Sequence, residues 1–215
     1  MNSHVAQRFG GTVVADEAQL RSVLGAPVAR ARDKDRPVLD PLDVEWLAHS
    51  PLCLVATSAA DGTCDVSPKG DPAGFALVLD ERTVALPERP GNRRGDGFVN
   101  VLTNPHVGLL FLIPGRTDTL RINGRATIVQ DAPFFDRMVV DGHRPLLALV
   151  VEVEQVFYHC QKAFLRSRLW DPQTWDPGAM ASRAVISRAV ERPDASLAEL
   201  EQYYGPTYAE GLYRA

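Results

Sequence analysis

Between residues 52 and 158 the chain sets one short apolar run after another, mostly joined by connections too short for a crossover helix. That feature limits the fold more than any other. Residues 52–58 read as a buried strand, Asp61-Gly62 as a hairpin signal and residues 63–67 as the returning strand. Pro68 removes a backbone donor, so the returning strand is expected to leave its ladder there. Residues 75–79 and 83–86 make a second pair across Asp80-Glu81-Arg82. Residues 107–113 turn at Gly115-Arg116-Thr117-Asp118 into 119–130, and 146–158 supply a last long strand with Val151, Val153 and Val156 inward. Six or seven adjacent antiparallel strands point to a mainly β, α+β protein whose sheet curls into a small barrel without exposed edges.

Helical signals flank and interrupt this core. Asp16 caps a short helix with Leu20, Val23 and Leu24 on one face and Gly25 at its end. Asp40-Pro41 opens a second, which carries Trp46 as a core residue and closes at Ser50-Pro51. Residues 98–102 suggest a short helix, and 133–140, opened by Asp131, a helix against the barrel. Ser196-Leu197-Ala198-Glu199 has capping-box spacing. The expected organisation is one domain over 1–215: a helical extension over 1–50, the barrel over 51–158 and a helical part over 159–215.

With 45% apolar residues the chain can bury a core, which excludes wholesale disorder. Lys and Arg number 23 against 27 Asp and Glu, a net charge of −4, so a broad cationic face for nucleic acid is not expected. No apolar run approaches the ~18 residues of a membrane span. Residues 1–10 lack a secretion signal, and Cys53, Cys64 and Cys160 form no Cys-x-x-Cys, which together suit a cytoplasmic protein. His4, His49, His106 and His143 are scattered without metal-ligand spacing. Hydrolase, dinucleotide-binding and phosphate-loop motifs are lacking as well.

Three segments can carry chemistry. In residues 86–97 two prolines stiffen a loop, three glycines allow unusual backbone angles, and Arg89, Arg93 and Arg94 concentrate positive charge. Guanidinium groups fit phosphate oxygens with paired bonds, and the N–H groups opening the next helix add attraction. A phosphate clamp and a solvated surface loop are equally compatible with the segment alone. In Asp65-Val66-Ser67-Pro68-Lys69-Gly70, Ser67 and Lys69 face one way along an extended chain and suit a polar aromatic ligand. After the last strand, His159, Lys162 and Arg166 share one helical face, a basic strip for an anion or for water. His159-Cys160 has no third group to orient it as a nucleophile.

In order and spacing these segments resemble the flavin-binding split-barrel family of pyridoxamine 5′-phosphate oxidase, over roughly residues 52–170. The resemblance runs through Leu54-Val55-Ala56-Thr57, Val66-Ser67-Pro68-Lys69-Gly70, Val84-Ala85-Leu86-Pro87 and Gly91-Asn92-Arg93-Arg94. It continues in Asn104-Pro105-His106-Val107 and Leu120-Arg121-Ile122-Asn123-Gly124-Arg125-Ala126.

The resemblance implies an FMN-binding split barrel in which Val66, Ser67 and Lys69 line the flavin ring. Leu86 and Pro87 would touch the ring and ribityl chain, and Asn92, Arg93 and Arg94 would hold the phosphate. It implies a homodimer with FMN between subunits, Lys162 and Arg166 reaching the other chain's cofactor. The implied activity is FMN-dependent hydride transfer to or from a small molecule; a non-catalytic flavin carrier and a deazaflavin-dependent reductase are the alternatives. Residues 133–140 lack the family's Tyr-x-x-x-Arg-x-x-x-Ser substrate grip, and no Arg-x-His element is seen near the C-terminus, so pyridoxamine 5′-phosphate is not the expected substrate.

Overall fold

The computed structural model describes residues 3–213, so the expected domain limits at 1 and 215 lie outside the described residues. The chain divides into two units, Met1–Asp35 and Arg36–Ala215, so the first helix after residue 36 groups with the barrel and not with an extension ending at 50.

The first unit holds α1 (Ser3–Phe9), α2 (Glu17–Leu24) and α3 (Ala29–Arg32). The Asp16 carboxylate accepts from the Gln19 N–H at 2.8 Å, the expected N-cap, and Gly25 ends α2 at φ 76°. Leu20, Val23 and Leu24 are all exposed.

In the second unit, α4 (Pro41–His49) carries a capping box in which Asp40 and Asp43 answer each other's backbone donors. Asp43 is fully buried and takes a bidentate ion pair from Arg36, Nη1 to Oδ2 at 2.8 Å and Nη2 to Oδ1 at 2.9 Å. Arg36 in turn exchanges both backbone hydrogen bonds with Val156, which ties the start of this unit to the sheet. Trp46 is buried, edge-on to Tyr158 at 5.4 Å.

The seven strands are β1 (Leu52–Ser58), β2 (Cys64–Gly70), β3 (Leu77–Asp80), β4 (Thr83–Pro87), β5 (His106–Leu112), β6 (Thr119–Gln130) and β7 (Leu147–His159). α5 (Asp96–Thr103) lies between β4 and β5. After β7 come α6 (Lys162–Ser167), α7 (Arg183–Val190) and α8 (Leu197–Tyr203), the last with the expected Ser196–Glu199 capping box. Every pairing is antiparallel, in the order β2-β1-β5-β6-β7-β4-β3. The alternating inward positions of β1, β4, β5, β6 and β7 converge in one core that includes Val55, Phe111, Ile122, Val84 and Val151. A smaller cluster around Phe135, Met138, Ala85 and Ala148 seals the other face of β4 and β7.

β7 keeps Val151, Val153 and Val156 inward despite the odd spacing of the last two, because the ladder slips one residue between Asn123 and Gly124 of β6. Gly124 allows the close approach there: a Cβ at that position would lie 2.0 Å from the Glu152 carbonyl oxygen.

Three expectations change. β2 does not leave its ladder at Pro68 but pairs on to Gly70, and as an edge strand it can place the missing donor outward. The sheet ends at β2 and β3 without joining, so it keeps two edges, and the barrel is split as the resemblance implies. The helix expected over 133–140 is a shorter 3-10 helix, Pro133–Met138.

Candidate functional site

The split in the barrel holds the candidate site. Lys69 on β2 and Glu88, one residue past β4, stand near opposite ends of the strand order, yet their side chains form an ion pair. The sheet therefore curls until its two flanks face one another across a cavity of about 590 Å³, a size within the ~300–1,000 Å³ common for ligand pockets. Val55, Phe75, Pro87, Leu149 and Phe98 provide apolar wall. Ser67, Lys69 and the 88–97 loop provide polar wall.

Alternation along β2 decides what faces in. Asp65, Ser67 and Lys69 are half-buried, whereas Val66, Pro68 and Gly70 are exposed. α5 is docked against this strand by Asn100, whose amide donates to the Thr57 hydroxyl at 3.0 Å and to the Asp65 carboxylate at 2.8 Å. Gly97, in the opening turn of α5, faces β1 and β2: a Cβ there would make ordinary contact with the Thr57 side chain at 3.5 Å and the Ser67 hydroxyl at 3.9 Å. The opening turn thus forms part of the wall, and its first N–H groups have no partner within the helix.

Charge on the wall is balanced in pairs. Lys69 pairs with Glu88 and sits 5.1 Å above the Phe98 ring. Arg89 pairs with Asp71 at 2.6 Å, and Arg94 with Asp96 at 2.7 Å. Asp65 adds a fourth carboxylate against three cations.

The three loop arginines, alike in sequence, differ completely. Arg89 is nearly buried, and besides Asp71 it donates to the Met138 and His143 carbonyls at 2.6 and 3.1 Å. Tyr213 lies against the same guanidinium, its ring 5.5 Å away and its hydroxyl donating to Asp71 at 2.7 Å. That hydrogen bond to the carboxylate holds the Tyr213 phenol proton, so its pKa is pushed up to about 12. Arg94 is open to solvent, its backbone N–H fixed by the Asn92 side chain at 3.0 Å. Arg93 takes a left-handed backbone, φ 61°, and its side chain stands outside the cavity lining.

Of the expected site residues, the cavity brings together Val66, Ser67, Lys69, Pro87, Asn92 and Arg94. Val66 stands at the rim with 64% of its surface exposed, turned away from Ser67 and Lys69. Leu86 stands outside the cavity lining: it is 2% exposed and belongs to the core with Val84, because alternation turns it into the barrel. Arg93 adjoins the wall without lining it. Lys162 and Arg166 lie on α6, outside this cavity, and the Arg166 Nε donates back to the Lys162 carbonyl at 3.1 Å. Cys160 is exposed, and burial pushes the Cys53 thiol pKa up. Sequence reasoning missed Glu88, Phe98, Asp71, Asn100 and Tyr213. Glu88 lies within the 86–97 loop already singled out and Phe98 directly follows it, and the fold around that loop was the missing signal.

Among the described residues no helix is long and apolar enough to cross a membrane, and no group of three or more His, Cys, Asp or Glu could hold a metal ion.

A comparison with curated protein sequences finds no match. Solved structures offer distant likenesses. HupZ of Group A Streptococcus is 20% identical, with 56% of this chain and 93% of that one covered at a TM-score of 0.45. A candidate pyridoxamine 5′-phosphate oxidase from Lactobacillus delbrueckii is 23% identical, with 58% and 98% covered at 0.45. An FMN-binding protein from Syntrophomonas wolfei is 12% identical, with 55% and 89% covered at 0.42. The family model described as pyridoxamine 5′-phosphate oxidase matches residues 39–160, from the buried Leu39 before α4 to the end of β7 and so around every strand that shapes the cavity. With more than half of its length matched, the chain belongs to the pyridoxamine 5′-phosphate oxidase family.

Proposed function

We propose that the protein binds FMN in the split of its barrel and acts as an FMN-dependent oxidoreductase on a small organic molecule. The observation that carries this is the mixed apolar and polar lining of the cavity. Phe98, Leu149, Val55 and Pro87 make an apolar slot for a flat ring, Ser67 and Lys69 supply directed polar groups, and the turn at 91–97 supplies the Arg94 cation and helix-opening N–H groups. Gly97 leaves room against Ser67 and Thr57 that a larger residue would fill. FMN when bound carries the hydride chemistry itself, so the protein's part is to bind, orient and tune.

In this reading Arg93 and Arg94 would hold the phosphate, with the Asn92 side chain fixing the turn that carries them. Ser67 and Lys69 address the polar edge of the ring. Leu86 acts through packing behind Pro87. A homodimer would let Lys162 and Arg166 serve the partner's cavity, since they lie outside their own. Sedimentation that returns a monomer with full FMN affinity would remove that role from both.

The test begins with colour. Protein purified or reconstituted with FMN is expected to be yellow, to hold one FMN per chain and to release it on denaturation. Anaerobic NADH or NADPH is then expected to bleach it. Binding without bleaching by either donor, or by a chemical series of substrates on reoxidation, would leave a flavin carrier. Preference for a deazaflavin over FMN would replace the cofactor. Failure to bind either would sink the proposal.

A further inference from the structure

The Lys69 ammonium does not face the cavity as a free charge. Its partner is Glu88, and the two side chains are only 22% and 30% exposed, so water screens the pair weakly. Phe98 covers the same ammonium from a third side. The other acids on this wall are accounted for elsewhere: Asp71 is bound by Arg89 and Tyr213, Asp65 by Asn100, and Asp96 by Arg94. Glu88 is thus the carboxylate that sets the charge a ligand meets at Lys69. Its position is fixed by the backbone, since its N–H donates to the Leu147 carbonyl at 2.9 Å and Pro87 precedes it. Arg89 next to it is locked in place, which keeps Glu88 from swinging away with the loop.

We infer that Glu88 is a positioning residue that neutralises Lys69, so that a redox ring bound in the cavity meets a balanced pair and its reduced form gains little from the lysine. This rests on the FMN reading above. The consequence is electrostatic. A lone cation beside the ring favours the reduced form, which carries more negative charge, and a lone carboxylate disfavours it. Glu88→Gln leaves the cation and removes the counter-charge. Lys69→Met does the reverse. Removing both restores balance. The side chain of Glu88 is part-exposed and at the end of a strand, so its amide is tolerated by the fold.

The experiment is a double-mutant cycle on the midpoint potential of bound FMN, in wild type, E88Q, K69M and K69M/E88Q. E88Q is expected to favour the reduced ring over the oxidised one by at least tenfold, about +30 mV for a two-electron couple. K69M is expected to shift the other way by a similar amount, and the double variant to return close to wild type. A purely structural pair would leave the potential of every variant that still binds FMN unmoved. Equal potentials in all four proteins, a negative shift in E88Q, or loss of FMN from E88Q overturns the role of Glu88. Wild-type protein that binds no FMN overturns the cofactor reading instead, before any variant is compared.

Discussion

The loop from Glu88 to Gly97 has two halves that contrast sharply. In the first, Arg89 is packed beneath the surface with every direction of its guanidinium occupied: Asp71, two backbone carbonyls and the Tyr213 ring. In the second, Arg93 and Arg94 project from a turn built on two left-handed residues, Arg93 at φ 61° and Gly95 at φ 65°. One arginine holds the wall in place, and the other two are presented. What separates them is desolvation. A guanidinium drawn out of water must be met by carboxylate and carbonyl on all sides, and a group so met has nothing left for a ligand.

The sharpest way to break this contrast is to remove the buried member. R89M leaves Asp71, whose side chain is 2% exposed, as a buried carboxylate without its cation. Removing one partner of a buried pair costs about 3–5 kcal/mol, and the midpoint of thermal unfolding should fall by roughly 10 °C. A midpoint unchanged within a degree would show that Arg89 is no more fixed than Arg94.

Tyr213 sharpens the same half on a smaller scale. Y213F keeps the ring beside Arg89 and His143 but deletes the hydroxyl that donates to Asp71. A hydrogen bond to a charged group contributes about 1.5–3 kcal/mol, and partial exposure of Tyr213 puts the expected loss at about 1 kcal/mol in denaturant unfolding. No loss would mean that the C-terminal segment does not brace the cavity wall.

The smallest effect lies in alkaline titration. Tyr213 and Tyr158 both have phenol pKa values near 12, the first through its bond to Asp71 and the second through burial and the nearby Asp43. A folded-state value above the ordinary ~10 means that the Tyr213 contact contributes fully below pH ~10 and is lost as pH rises through about 12. Absorbance titration should show two late ionisations, of which Y213F removes one. Removal of none would detach Tyr213 from Asp71.

The two halves also differ in how much the sequence could tell. Strand limits at 52–58 and 119–130 were legible in full, because alternation and the Asp61-Gly62 turn act over a few residues. Ser67 and Lys69 were legible for the same reason: period two puts them on one side. Arg89 was not, since its partners are 18, 49 and 54 residues away and only closure of the barrel brings them together. Glu88 was hidden likewise, 19 residues from Lys69 and across the split. Leu86 shows the limit of proximity in sequence. It adjoins Pro87 on the cavity wall, yet the pleat turns it into the core.

In the proposed function the presented pair, Arg93 and Arg94, holds the anionic end of FMN while Arg89 holds only the protein. Equilibrium dialysis of FMN against wild type and R93A/R94A tests it directly, with thermal unfolding run beside it. The expected result is an unchanged unfolding midpoint and an FMN affinity at least tenfold weaker, from the loss of charge-assisted bonds worth about 1.5–3 kcal/mol each. Equal affinity in the two proteins would contradict it and place the phosphate elsewhere.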